Sequence, residues 1–224
     1  MLPNYEMTDH GVLKQSIVKP IAYDPQYVKD RYDKYGVQCD MMSHLRLGYL
    51  IGTLNRKPAS VLDVGYGNGS FLKVCKEASI TTFGTDVSGY ELKHGKELTM
   101  AECLDRSFEV VSFFDSLEHF EDLSFLGDLC AQYLYISVPN CDYQGVLVSK
   151  GEEAADAYFE GWKHRRPDEH LWHFNLWSLS GMLDSFGYSP LAHSYIEDII
   201  RKPTAPGHNI LTAVFELRDA YDGN

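Results

Sequence analysis

Val61-Leu62-Asp63-Val64-Gly65-Tyr66-Gly67-Asn68-Gly69 runs from a short apolar stretch into three glycines at alternate positions. Ser60 to Val64 reads as a β-branched strand, and Phe71-Leu72-Lys73-Val74-Cys75-Lys76 restarts at helical spacing. Strand, glycine turn and helix in that order mark the place in an open α/β sheet where backbone passes close to a ligand. The dinucleotide fingerprint G-x-G-x-x-G would need glycine at position 70, where Ser70 stands, so NAD is the weaker candidate. A G-x-G-x-G turn with a carboxylate, Asp63, just before it suits a ligand carrying an ammonium group better than one offering a pyrophosphate to a helix N-terminus. The next strand ends in Thr85-Asp86, seventeen residues beyond Gly69, where a carboxylate can accept hydrogen bonds from both hydroxyls of a ribose.

Outward from the turn, the alternation continues: Thr81 to Asp86 as a strand, Phe108 to Phe114 as a nearly continuous apolar strand, Asp122 to Ala131 as a short helix, and Tyr133 to Val138 as a strand ending at Pro139. Continuous apolar strands separated by helices predict a mostly parallel sheet with helices on both faces. Ser178 to Phe186 reads as a helix stopped by Gly187. Leu191 to Ile200 and His208 to Leu217 read as two strands joined by the turn Arg201 to Gly207, an antiparallel hairpin closing the sheet. Upstream, the apolar and aromatic positions of Tyr23 to Leu54 recur at helical intervals with a break near Gly36, predicting two helices. Residues 1–56 are thus expected as a helical cap on a domain spanning 57–224. Within that domain, Cys141 to Asn175 forms a long connection, with helix around Glu152 to Phe159. Its position after a strand end predicts a functional lid.

The 224 residues, 44% hydrophobic and 23% charged, suit a single folded unit and exclude disorder. A net charge of −12 repels phosphate backbones and anionic membranes, which disfavours broad nucleic-acid binding. The opening residues lack a basic stretch followed by an apolar one, and no apolar run approaches the roughly 18 residues of a membrane helix. The expectation is a soluble, cytoplasmic chain with no membrane partner, as monomer or homodimer. The five scattered cysteines contain no C-x-x-C pair and are expected to be free thiols.

Taken in order, V-L-D-V-G-Y-G-N-G, G-T-D-V-S, F-E-V-V-S-F-F-D-S-L-E-H-F and Y-I-S-V-P-N resemble the class I S-adenosylmethionine-dependent methyltransferases over Ser60 to Leu217. The D-x-L-E-H, V-P-N and downstream H-x-x-x-F segments are similar to those of the group acting on small molecules. The resemblance implies a Rossmann-like, seven-stranded sheet and S-adenosyl-L-methionine as cofactor, with S-adenosyl-L-homocysteine as product. It implies that Gly65, Gly67 and Gly69 lie under the methionine part, that Asp63 orients its ammonium and that Asp86 binds the ribose. Tyr66, Val87 and Asp115 complete the expected cofactor contacts. The stretch from Asp86 to Phe108 is shorter than in the family, which leaves Ala101 and Glu102 as the nearest candidates for the adenine.

Asp115-Ser116-Leu117-Glu118-His119 follows a strand at the carboxyl edge, so His119 is a candidate base for an acceptor hydroxyl or amine. Asp115, Glu118 and His119 also have the spacing of a divalent-metal site. The related methyltransferases that bind metal there carry a glutamate in place of Asp115, and the reading adopted is no metal. Trp162 to Phe174 gathers Lys163, Arg165 and Arg166 with His164, His170 and His173 in an otherwise acidic chain. His170 and His173 are alternative bases, Arg165 or Arg166 would hold an anionic acceptor, and Trp162 or Trp172 would cover its ring. Tyr23, Tyr27, Tyr32 and Tyr35 are expected to pack in the core, with closure over the cofactor as the other reading. The expected activity is methyl transfer to an oxygen or nitrogen of a small molecule. The alternatives are methylation of a nucleic-acid end or sugar, aminopropyl transfer in the same fold, and a non-catalytic cofactor-binding module.

Overall fold

The computed structural model describes residues 2–16, 22–32, 35–201 and 207–218. The chain opens on a short hairpin, β1 (Tyr5–Met7) and β2 (Leu13–Gln15), followed by helices α1 (Pro25–Tyr32) and α2 (Gly36–Leu54). The two helices fall where the helical spacing placed them. The hairpin in front of them is additional, because strands of three residues are too short for a period-2 pattern to register. The alternating part comprises β3 (Ser60–Val64), α3 (Ser70–Glu77), β4 (Thr81–Thr85), β5 (Lys96–Glu97), α4 (Met100–Leu104), β6 (Ser107–Phe114) and β7 (Cys130–Pro139). The long connection carries α5 (Tyr143–Lys150), α6 (Glu152–Glu160) and β8 (Trp172–His173), and the chain ends with α7 (Leu176–Asp184), β9 (Tyr188–Ser194), α8 (Asp198–Arg201) and β10 (Ile210–Leu217).

Seven strands form one sheet in the order β5-β4-β3-β6-β7-β10-β9. β3 pairs in parallel with β4 on one side and β6 on the other, while β10 runs antiparallel to both β7 and β9. The chain therefore winds outward in opposite directions from the β3–β6 pair, which makes the crevice at the carboxyl ends of those two strands the expected ligand site. Both faces are covered. Val61, Val110, Tyr135 and Val214 pack with Leu47 and Leu50 of α2 and with Phe71, Leu72 and Cys75 of α3. Leu62, Val111, Leu134, Ile136 and Phe215 pack with Leu179, Met182 and Leu183 of α7 on the other face. This double burial is why β6 and β7 read as unbroken apolar runs.

Two expected elements differ. Asp122 to Ala131 is not a helix but a single 3-10 turn, Ser124–Gly127, running directly into β7. Ahead of that turn the Asp122 carboxylate accepts from the Ser124 N–H at 3.0 Å, and Leu123, Leu126 and Leu129 fill the core without helical continuation. Leu191 to Ile200 is strand only as far as Ser194. Beyond it α8 forms, because the Asp198 carboxylate accepts from the N–H groups of Asn209 and Ile210 at 2.9 and 3.0 Å and ties the segment to the start of β10. Of the expected turn Arg201 to Gly207, residues 202–206 lie outside the described residues.

The long connection and the N-terminal hairpin are one structure. β1, β2 and β8 form a second, three-stranded sheet. Leu2, Tyr5 and Leu13 share an apolar cluster with Cys141, Tyr143, Ala155 and Phe159. This sheet is anchored beside β6 by the Leu171 N–H, which donates to the Glu118 carbonyl at 2.7 Å. All five cysteines are free. No helix among the described residues is long and apolar enough to cross a membrane.

Candidate active site

The glycine turn lies at the β3–β6 crevice. Gly65 and Gly67 have φ of +80° and +56°, backbone that L side chains rarely adopt. A Cβ on Gly65 would stand 2.6 Å from the Ser116 Cβ, and one on Gly67 would stand 2.5 Å from the Tyr32 hydroxyl. The turn is thus narrow as well as strained. The Asp86 carboxylate, just past β4, accepts from the Gly67 N–H at 2.8 Å and from the Ser88 N–H at 2.8 Å, which places it against the turn. Asp63 is buried within the sheet, where it accepts from the Ser112 hydroxyl at 2.7 Å. Burial pushes its carboxyl up to about 7, against the opposing Ser112 hydrogen bond. Its side chain is thus tied to β6 within the sheet.

Several expected contacts are placed differently. The Tyr66 ring is buried away from the crevice, and its hydroxyl donates to the Tyr90 carbonyl with Glu97 at 3.0 Å. That leaves Tyr66 backbone alone for a ligand. Val87 stands exposed beside Asp86. The Glu102 carboxylate is committed to a capping box at Thr99, accepting from its N–H at 2.8 Å, so it is a helix cap rather than a ready adenine partner. Ala101 is exposed on the same helix.

The Asp115–His119 segment sits beside the turn, with the Ser116 hydroxyl donating to the Val64 carbonyl at 2.6 Å. Asp115 itself has φ +51°, unusual for a residue with a side chain and costing of order 1–3 kcal/mol. Its carboxylate is held by Arg201, with Arg46 at 3.5 Å. Burial would raise this carboxyl, but the two arginines hold it well below the usual range. Asp115 therefore does not join Glu118 and His119, which corrects the metal trio weighed from the sequence.

His170 takes its place. The ring nitrogens of His119 and His170 and a carboxylate oxygen of Glu118 lie within 4.8 Å of one another. The Nδ1–H of His119 donates to the Glu169 carbonyl at 2.8 Å, and that of His170 donates to the His164 carbonyl at 2.8 Å. Carbonyls only accept, so both Nε2 atoms are left as lone pairs. Glu118 is 1% exposed, and neither of its oxygens has a hydrogen-bond partner. Burial, reinforced by the negative charge of Asp115, raises its carboxyl well above the ordinary value. The third expected base, His173, is not in this group. Its ring is buried among Tyr5, Phe159 and Trp162 with both nitrogens unpartnered, and burial pushes it down to about 3. It belongs to the apolar core of the connection.

The basic stretch is dispersed. Arg166 pairs with Glu169 at 3.2 Å, Arg165 lies over the Phe159 ring, and His164 bonds Asn209 at 2.6 Å. Trp162 stacks on Phe159, while Trp172 donates from its indole to the Phe120 carbonyl at 2.7 Å and carries Lys14 on its face. Both tryptophans clamp the second sheet instead of covering a ring site. The tyrosines reverse the other way: the Tyr23 hydroxyl lies 3.0 Å from His119 Nδ1, and Tyr32 covers Gly67. Only Tyr35 stands exposed, at the start of α2.

Sequence reasoning missed Arg46, Glu197 and Arg201. Arg46, on α2, donates to Glu197 at 2.7 and 3.1 Å, Arg201 reaches the same carboxylate at 2.9 Å, and Glu197 is 0% exposed. The guanidinium of Arg46 also lies 4.0 Å over the Phe114 ring. Arg46 and Glu197 are 151 residues apart, and no local spacing signals such a pair.

A family described as a methyltransferase domain matches residues 39–193. The chain belongs to that family. No curated protein matches it. Among solved structures, the methyltransferase is similar to the 1,6-didemethyltoxoflavin-N1-methyltransferase of Burkholderia thailandensis, solved with 1,6-didemethyltoxoflavin and S-adenosylhomocysteine. The TM-score is 0.57 at 15% identity, over 96% of this chain and 100% of that one. It is also similar to magnesium protoporphyrin IX methyltransferase of Synechocystis PCC 6803 with bound S-adenosylhomocysteine, at TM-score 0.52 and 16% identity over 81% and 84% of the two chains. A third likeness is to an S-adenosylmethionine-dependent methyltransferase of Archaeoglobus fulgidus, at TM-score 0.55 and 18% identity over 85% and 99%. At these identities the likeness is one of fold.

Proposed function

We propose that this methyltransferase moves the methyl group of S-adenosyl-L-methionine to an oxygen or nitrogen of a small-molecule acceptor. The residues present fit that donor: a turn at the β3–β6 crevice that a Cβ would fill, and the Asp86 carboxylate beside it at the end of β4. Bound there, the donor supplies an electrophilic methyl on sulfonium. The chain's own work is alignment and removal of a proton.

The observation that carries the reading is the state of His119. Burial lowers its basicity, partly offset by its hydrogen bond to the Glu169 carbonyl, so the imidazole is neutral at pH 7 with Nε2 free to take a proton. His170, pushed down to about 3 by burial and by His119, is the poorer base. Tyr23, within hydrogen-bond distance of His119, and Tyr32 over Gly67 close the crevice from the N-terminal side. The acceptor is then a compact molecule entering between these tyrosines and the 141–175 connection. Its charge, if anionic, is met by Arg31 and Arg166, whose positive charges are felt at the same histidines. The reading also implies that the chain acts in the cytoplasm.

Calorimetric titration with S-adenosylhomocysteine tests the donor assignment. We expect wild-type binding, weakened at least about 30-fold in Asp86→Ala, consistent with truncating one side of a charged hydrogen bond that the bound donor would desolvate. Equal binding by the two proteins, both shown to be folded by their melting curves, would remove Asp86 from the donor site. No wild-type binding would overturn the donor reading.

A second reading is favoured by the orphaned Glu118 carboxylate. A buried carboxylate without partners is neutralised by a proton or by a cation. Glu118, His119 and His170 present an oxygen and two nitrogen lone pairs with backbone carbonyls orienting both imidazoles, a donor set suited to a divalent transition metal. Such an ion would be held by those three residues and would supply Lewis acidity toward the acceptor's hydroxyl. Titrating Mg2+, Mn2+ and Zn2+ against thermal melting decides it. A stabilisation that Glu118→Gln abolishes is expected, and melting curves unmoved by all three ions would leave His119 as a plain base.

A further inference from the structure

A cleft of about 1250 Å³ runs along the free edge of the seven-stranded sheet, between β9, the first turn of α7 and the 141–175 connection. Small-molecule sites typically measure roughly 300–1,000 Å³, so the cleft is ample for one. Its walls include no residue of the glycine turn or of the histidine group. The boundary between them is one hydrogen bond: Asn209 lines the cleft and meets His164 at 2.6 Å, while the His164 carbonyl accepts from His170.

The lining favours a flat ring. α7 buries Ser178, Leu179, Met182 and Leu183, which leaves Trp177 and Ser180 on the side that lines the cleft. Trp177 is 77% exposed, and Leu191 of β9 is exposed in the same cleft. Tyr195 and His208 also line it, stacked with ring centroids 3.7 Å apart and planes 4° from parallel. His208 is exposed, so a further planar ring can extend that stack. The other occupant that a free sheet edge invites is an added β-strand. β9 is poorly built for one, because Pro190 has no N–H to donate and the pairing with β10 shifts between Val214 and Phe215, skipping Leu191.

The charge of the cleft is set by two residues. Asp142 is the acid on its wall, but the carboxylate is turned to α5, where a Cβ on Gly145 would collide with it, and it accepts from the Asn175 amide at 3.3 Å. Lys163 lines the same cleft, exposed and with no ion pair among the described residues. Its ammonium is the charge left for a ligand, and it calls for an anion.

We propose that this cleft is a second ligand site, separate from the methyl-transfer centre, which takes a planar aromatic molecule bearing one negative charge, its ring among Trp177, Tyr195 and His208 and its charge at Lys163. The inference does not rest on the identity of the methyl donor.

The test is calorimetric titration of 1-naphthoate and of its uncharged amide, 1-naphthamide, with S-adenosylhomocysteine present in excess. Naphthoate is expected to bind wild type with a Kd below about 1 mM, at least about 5-fold tighter than the amide. Lys163→Gln should abolish that preference and leave the amide unchanged. Trp177→Ala should weaken both probes at least about 5-fold, the low end for a lost ring stack. Both side chains are exposed, so neither substitution threatens the fold. Asp86→Ala and His119→Ala should bind naphthoate as wild type does. Absence of binding, equal binding of acid and amide, or indifference to both Lys163→Gln and Trp177→Ala overturns the proposal. Loss of binding in His119→Ala overturns it as well, by placing the ring in the methyl-transfer centre, and none of these results alters the donor reading.

Discussion

Glu197→Ala is expected to destabilise the protein by roughly 3–5 kcal/mol, the cost of removing one partner from a buried ion network. Glu197 is 0% exposed, and its two oxygens accept from Arg46 at 2.7 and 3.1 Å and from Arg201 at 2.9 Å. Truncation leaves two guanidinium groups with Asp115 as their remaining carboxylate. Glu197→Gln keeps the shape and one acceptor, so its loss should be smaller. Burial would raise the Glu197 carboxyl, yet Arg46 and Arg201 more than offset that and hold it below the ordinary glutamate value of 4.5. A carboxyl lower in the folded chain stabilises at neutral pH, and that contribution disappears as pH falls below 4.5. Urea denaturation of the wild type and both variants at pH 7 and pH 4 measures this. A difference under about 1 kcal/mol between Glu197→Ala and wild type at pH 7, the range of an exposed ion pair, would mean that the arginines find other partners.

His119→Ala should lower kcat by about 10²–10⁴-fold, the usual contribution of a positioned general base, while S-adenosylhomocysteine affinity stays within a few-fold of wild type. The reason is geometric. His119 is fixed through Nδ1 by the Glu169 carbonyl, and no observed contact ties it to Asp86 or the glycine turn. Because burial shifts the imidazole below its ordinary 6.5, the active neutral form already predominates at pH 6.5. The rate should therefore be flat above that pH and fall on the acid side, and His119→Ala should lose the acid limb together with the rate. Single-turnover methyl transfer with an acceptor found by screening, across pH 5 to 8, is the measurement. An undiminished rate in His119→Ala would assign proton removal to another group, while a rate restored by added divalent ions in wild type alone would favour the metal reading of the same three side chains.

Much of the fold was legible because its signals are local. Ser60 to Val64 followed by three alternating glycines can be read from neighbours alone, since strand burial on two faces and left-handed backbone each restrict residue type at single positions. For the same reason α2, α3, α6 and α7 appear close to where spacing put them. The errors came where a tertiary contact overrode a local pattern. Asp122 to Ala131 has the composition of a helix, but its leucines are consumed by the core and its chain by β7. Leu191 to Ile200 looks like strand, but Asp198 is claimed by the start of β10.

What the sequence determined by itself is the Rossmann-like sheet, the glycine turn at the exit of β3, and the methyltransferase family. Each rests on short local motifs and on the order in which they follow along the chain. Only the tertiary structure decided which charged and imidazole groups act together. It paired Asp115 with Arg46 and Arg201 instead of with Glu118, admitted His170 to the site and excluded His173, and brought Tyr32 over Gly67. Hydrogen-bond energies fall off within a few ångströms and ion-pair energies are screened over roughly 10 Å, whereas the partners stand 35 to 151 residues apart in the chain. Chain closure, not spacing, chooses among chemically equivalent partners.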